Sequence, residues 1–229
     1  MAQQEDSYRL EDADTAREML RNDDFIEAYA TAARLLGACL AFSPKNENAA
    51  RSLQALREVY IAADWPFGAA NAEAELLQAA ELIALGACED GEALATEYQR
   101  LFVGPGHLAA PPWGSVYMDH DKVLYGCTWV ELREWMRAYD IEAEYNERVP
   151  EDQIGRLLVM SADVAQGCSD VLPELLGDHL LPWVGHYFDL LAAEARLATY
   201  QGVALLAKAT LSDMQALLGI TPANRRLYR

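Results

Sequence analysis

The chain has 229 residues, with 36 acidic side chains against 18 Lys and Arg and a formal net charge of −18. A surface this acidic repels phosphate backbones, which excludes nucleic acid as a general partner and favours cationic partners and solubility. No apolar run approaches the roughly 18 residues of a membrane span, and the polar start MAQQEDSYRLEDAD lacks the basic and apolar regions of a secretory signal.

Taken in order, residues 1–13 read as a frayed acidic start, with Asp14 or Thr15 able to cap a short first helix. Phe25, Tyr29, Ala32, Leu36 and Leu40 then form one apolar stripe of a longer helix, which Ser43-Pro44 ends. Helices follow over 46–61 and 71–85, separated by a turn at Asp64-Trp65-Pro66-Phe67-Gly68. Glu89-Asp90 opens the next helix, which runs into the long stretch 97–124.

That stretch breaks at Gly104-Pro105-Gly106 and again at Pro111-Pro112, and it carries Leu108, Trp113, Val116, Tyr117 and Met118. A long loop rich in aromatics predicts an ordered, functional connection, so 103–124 is expected to be a hinge loop between two helical halves. Beyond it, Thr128 with Glu131 fits a capping box for a helix through Arg137. Residues 139–149 form an acidic connector. Pro150-Glu151-Asp152 fits a helix start, with proline in the first turn and acids at the positive end of the dipole. Shorter helices lie near 172–176 and 180–197. A final helix over 199–218 carries Val203, Ala207, Leu211, Met214 and Leu218 in register and precedes Gly219. Asn224-Arg225-Arg226-Leu227-Tyr228-Arg229 is the one clearly basic stretch. No strand-length alternation is found. The expected fold is all-α, a single globular domain over 1–229 with about nine to eleven helices.

Little in the chain resembles catalytic machinery. It has no GxGxxG, GxxxxGKS/T, HExxH or GxSxG pattern. Cys39, Cys88, Cys127 and Cys168 lack metal-type spacing, which predicts reduced, mostly buried thiols in a cytoplasmic protein. Asp119-His120-Asp121 is the best metal-like cluster, and His179 and His186 are surface or core histidines. Asp213 and Glu194 read as solvated helix faces. No catalytic residue, cofactor or metal is expected; the alternative is a helical metal protein using His107, His120 and nearby acids. What the residues do offer is an apolar cluster, Trp113, Val116, Tyr117 and Met118, beside Asp119 and Asp121, with Glu147, Glu151 and Asp152 further on. Apolar groups flanked by acids suit a peptide that is apolar with basic residues at one end. Trp113 and Tyr117 could equally plug the loop into the core, and Glu151 and Asp152 could simply complement a helix dipole.

Glu97-Tyr98-x-x-Leu101-Phe102-x-Gly104-Pro105-Gly106 and the run Pro111-Pro112-Trp113-Gly114-Ser115-Val116-Tyr117 resemble the signature of the TorD/DmsD family of redox-enzyme maturation chaperones. PPWGSVY points to the DmsD side of that family. Pro150-Glu151-Asp152, the Leu157-Leu158 helix, Leu180-Leu181-Pro182-Trp183 and the end Arg226-Leu227-Tyr228-Arg229 continue the resemblance in order. The N-terminal third matches only in helical pattern. The resemblance implies a cytoplasmic chaperone that binds the twin-arginine signal peptide of a molybdopterin oxidoreductase of the DMSO or TMAO reductase type. It would delay Tat export until folding and cofactor insertion are complete. Implied partners are that peptide, the catalytic subunit carrying it, and Tat translocase components, with the chaperone a monomer or homodimer and no membrane insertion. Implied binding residues are Trp113, Ser115, Tyr117, Asp119, Asp121, Glu147, Glu151, Asp152 and Gln153. A NarJ-like chaperone acting on the body of the client is the alternative. Gln153 departs from the His usual in the family; it keeps a hydrogen-bonding group but cannot titrate near neutral pH.

Overall fold

The computed structural model of the protein describes residues 7–142 and 149–229. Helix starts follow local side-chain chemistry. Asp12 caps α1 (Ala13–Leu20) by accepting from the amides of Asp14 and Thr15. Asn22 caps α2 (Asp23–Ala41) and Asn46 caps α3 (Glu47–Glu58), each through its side-chain oxygen. The short α4 (Ile61–Asp64) leads to a turn and then to α5 (Glu73–Leu85). Asp90 caps α6 (Gly91–Tyr98), whose last turn widens into a π-type turn at Gln99–Val103. After α7 (Gly114–Met118) come α8 (Cys127–Ala138), α9 (Ile154–Gly167) and the single turn α10 (Leu172–Glu174). A second π-type turn, Leu175–Leu180, joins α11 (Leu181–Glu194), and α12 (Ala198–Leu217) closes the bundle. The fold is all-α, as its periodicity predicts.

The expected stripe on α2 is the one buried: Tyr29, Ala32, Leu36 and Leu40 are at most 2% exposed. This face packs on α9, while α12 packs between α5 and α11. Trp183, Tyr187, Phe188 and Tyr200 fill the centre. Burying each such side chain stabilises the fold by roughly 1.5–3 kcal/mol.

Several local expectations are corrected. Residues 7–12 are not frayed: β1 (Arg9–Leu10) pairs antiparallel with β2 (Ile220–Thr221), Arg9 opposite Thr221. Asp213 is buried rather than solvated; it accepts from Asn71 N at 3.0 Å and Nδ2 at 2.8 Å and from Gly68 N. It therefore satisfies the turn that docks Trp65 and Phe67 into the core. The predicted 103–124 loop is interrupted by α7, which starts directly behind the proline pair. Of the cysteines only Cys39 is buried; Cys88, Cys127 and Cys168 are exposed, and all four are free.

The α2–α9 contact depends on two glycines. A Cβ on Gly155 would stand 2.4 Å from Ala41 N and 2.6 Å from Gly37 O, and one on Gly37 would stand 2.7 Å from Gly155 O. Backbone meets backbone there, so no side chain can move aside. Gly155→Ala is expected to destabilise the protein by about 2–3 kcal/mol through overpacking, read as a lower urea midpoint.

Candidate functional site

The stretch after α6 is stitched to the start of α9 by backbone. Ile154 N donates to Pro112 O at 2.8 Å, Gly114 N donates to Asp152 O at 3.1 Å, and Trp113 bridges antiparallel to Gln153. Gln153 then serves both neighbours. Its Oε1 accepts from Arg156 N at 2.9 Å, capping α9, and its Nε2 donates to Leu40 O at 2.9 Å. The helix-start role open to Gln in place of His is the one realised here. Pro150, Glu151 and Asp152 lie ahead of α9 rather than in its first turn.

Most predicted site residues face inward. Asp152 is 4% exposed and its Oδ2 accepts from Ser115 N at 2.7 Å. Burial pushes its carboxyl up to about 6, with Ser115 acting in the opposite direction. Asp152 Oδ1, Ser115 Oγ, Tyr117 Oη and Trp113 Nε1 have no hydrogen-bond partner among the described residues. Tyr117 is fully buried, stacked on Trp183 with ring centroids 5.4 Å apart and edge-on to Tyr187 at 6.1 Å. Tyr117 is thus a core plug, and only Trp113 of the aromatic pair is half-buried.

The acids divide likewise. Asp119 accepts from Thr128 N at 3.1 Å and from its Oγ1 at 3.0 Å, so the carboxylate serves the first turn of α8 and Thr128 is not its cap. Gly126, the residue ahead of α8, lies against this carboxylate so closely that a Cβ would stand 1.9 Å from Oδ2. Glu151 accepts from Trp129 Nε1 at 2.7 Å and pairs with Arg133. Asp121 remains exposed, 3.0 Å from His120 Nδ1. With Asp119 turned to Thr128 and His107 beside Arg229, the metal-like cluster does not converge. Glu147 lies outside the described residues.

What faces solvent is a run that periodicity does not single out. Val123, Leu124 and Tyr125 are 50, 40 and 47% exposed, and Val130 on α8 is 42% exposed. Tyr125 stands edge-on to Trp129 at 5.0 Å. Exposed Lys122 separates this apolar run from Asp121, and Glu131 follows Val130 on α8. The signal for it was available: three consecutive apolar residues after an acid-rich turn, with no helical partner. The basic tail also returns to this region, where Tyr228 N donates to Tyr117 O at 2.8 Å.

Comparison with known proteins shows the family of this chain. The family model described as nitrate reductase delta subunit matches residues 64–189. The Tat proofreading chaperone DmsD of Salmonella typhi is 38% identical over 211 residues, 92% of this chain and 98% of that protein. The Salmonella typhimurium protein of the same description is 37% identical over the same shares. The chaperone protein YcdY of Escherichia coli is 25% identical over 79% of this chain and 90% of its own length. A helical protein with these relatives is a chaperone and not an enzyme. The chain belongs to the TorD/DmsD family of redox-enzyme maturation chaperones. Among the described residues, no helix is long and apolar enough to cross a membrane.

The Asp152 carboxyl titrates at 3.8 in the ordinary case and at about 6 in the fold. The folded state therefore holds the proton more tightly, and this contribution to stability is present below about pH 4 and lost as pH rises through about 6. Asp152→Asn keeps an acceptor for Ser115 N and removes the buried charge. It is expected to gain about 1–3 kcal/mol at pH 8 and little at pH 4, measured by urea denaturation at both pH values.

Proposed function

We propose that this protein is a cytoplasmic chaperone for the twin-arginine signal peptide of a molybdopterin oxidoreductase, delaying Tat export until folding and cofactor insertion are complete. The observation that carries the reading is the exposed apolar run Val123, Leu124 and Tyr125 beside Asp121, mounted on a stretch whose other acids are tied inward. The description of the relatives as Tat proofreading chaperones supports it. In this reading Trp113 and Asp121 touch the peptide. Ser115, Tyr117, Asp119, Glu151, Asp152 and Gln153 hold the surface that presents them, and Glu147, outside the described residues, is assigned to the peptide from the sequence alone.

The physical balance favours an apolar-led contact. An exposed ion pair contributes only about 0.2–1 kcal/mol, whereas each buried apolar side chain contributes roughly 1.5–3 kcal/mol before ordering costs. The apolar segment of the signal then supplies most of the affinity. Asp121 and Glu131 set its direction and the preference for Arg, whose planar fork suits carboxylates better than a Lys ammonium.

A second reading, assembly on the body of the client, is favoured by the nitrate reductase delta subunit family model. A separate apolar groove of about 380 Å³ between α3, α4 and α5, lined by Leu56, Val59, Tyr60, Leu77 and Ala80, offers a surface for it.

Titration of the purified protein with a twin-arginine signal peptide and its twin-lysine version decides the first reading. The arginine peptide is expected to bind, and Leu124→Ser and Tyr125→Ser each to weaken it by about tenfold, or ~1.4 kcal/mol. No binding, or equal binding of an unrelated basic-apolar peptide, ends it.

A further inference from the structure

The tail that returns to the site has a chemistry unlike the rest of this chain. Residues 224–229 read Asn-Arg-Arg-Leu-Tyr-Arg, three cations in six positions of a protein with net charge −18. The segment is neither helix nor strand, and its one local backbone hydrogen bond is Arg225 N donating to Ala223 O at 2.9 Å.

It is nevertheless seated. Ala223 N donates to Gly177 O at 3.0 Å and sets the exit from β2. Arg225 pairs with Glu131 of α8 at 2.7 Å. Arg226 lies over the Tyr228 ring at 5.2 Å, and Tyr228 meets the His120 ring edge at 5.4 Å. Leu227 packs on the core, and Tyr228 N donates to Tyr117 O. The Arg229 guanidinium closes the segment by donating to Leu108 O at 2.6 Å and Ala109 O at 3.0 Å. Apart from Gly177, the partners outside the segment itself lie in 107–120 or on α8, next in sequence to the exposed Val123, Leu124, Tyr125 and Val130.

We propose that the surface formed by the backbone carbonyls of Leu108, Ala109 and Tyr117 with the side chains of His120 and Glu131 recognises a segment that combines arginines with apolar residues, Arg225 meeting Glu131 and Arg229 meeting Leu108 and Ala109 while Arg226 folds onto Tyr228 of its own segment. Its resident occupant is the chain's own segment 224–229, which a client's arginine-pair segment displaces. The inference rests on the proposed function and adds a competitor to it. The order of residues is the point: two arginines, then Leu and Tyr, repeats within the chain the cation-then-apolar chemistry assigned to the ligand. The seating is also releasable. The Arg225–Glu131 pair is part-buried, and Arg225 Nε is buried there with no hydrogen-bond partner among the described residues, a cost that release of the segment removes. A tail on a short tether is always at high local concentration, so weak contacts suffice to keep the surface covered until a better ligand arrives.

The test compares the full chain with its Arg225→Gln/Arg229→Gln variant, both titrated with a labelled twin-arginine signal peptide. The variant is expected to bind about tenfold more tightly, the factor that follows if the tail leaves the surface open about a tenth of the time. Tighter binding by the variant, or binding by the variant alone, supports displacement. Equal or weaker binding by the variant overturns it and leaves the proposed function standing. Absence of binding by both overturns the proposed function and this inference with it. A second measurement uses only the unaltered protein and so does not depend on the variant folding. A capped peptide of sequence 224–229 is expected to compete with the labelled signal peptide, and its twin-lysine version to compete several-fold less well. No competition at a hundredfold excess overturns the inference.

Discussion

The close approach of α2 and α9 is the constraint on which the rest of the site depends. Two glycines let the helix backbones touch, Gly37 on one side and Gly155 on the other. Because α9 sits this deep, the amide of Gln153 reaches Leu40 O while its carbonyl caps α9. Once Gln153 is fixed, so is the two-residue bridge to Trp113, and with it the start of α7. A chain of backbone contacts thus carries the register of the central bundle out to a stretch that would otherwise be a free loop. Flexible long side chains at this crossing would have left that register undefined.

Carboxylates do two separate jobs in this protein. Asp119, Glu151, Asp152 and Asp213 are turned inward to satisfy amides, an indole, a guanidinium or a tight turn. They make an acidic sequence into a rigid one. Asp121 and Glu131 stay at the surface, where they can meet a cation without the several kcal/mol that desolvating a charge would cost. A chaperone that must release its client needs contacts of the second kind, each modest, summed over an apolar run.

The bundle was legible because helices advertise themselves locally: the Tyr29–Leu40 stripe and the helix starts at Asn46 and Asp90 carry their own signal, although the first cap is Asp12 and not Asp14 or Thr15. The importance of 97–124 was legible from its prolines and aromatics, and the family from PPWGSVY. The direction in which each side chain points was not. Thr128 looks like a cap, and Asp152 looks like a dipole partner, until a residue distant in sequence supplies a better hydrogen bond. Asp213 satisfies amides 142 and 145 positions away, information that periodicity does not hold. The exposed Val123, Leu124 and Tyr125 escaped notice for the opposite reason: an apolar triplet with no helical period reads as core.

The small pairing of β1 with β2 has a consequence in time. Residues 9–10 wait for residues 220–221, so the clasp forms only after everything between them has left the ribosome. Contacts of such long sequence separation are also slow to find. Residues 107–131 are therefore synthesised well before residues 223–229, which contact them in the folded protein. The molecule's own birth order leaves an interval in which those residues stand without these contacts.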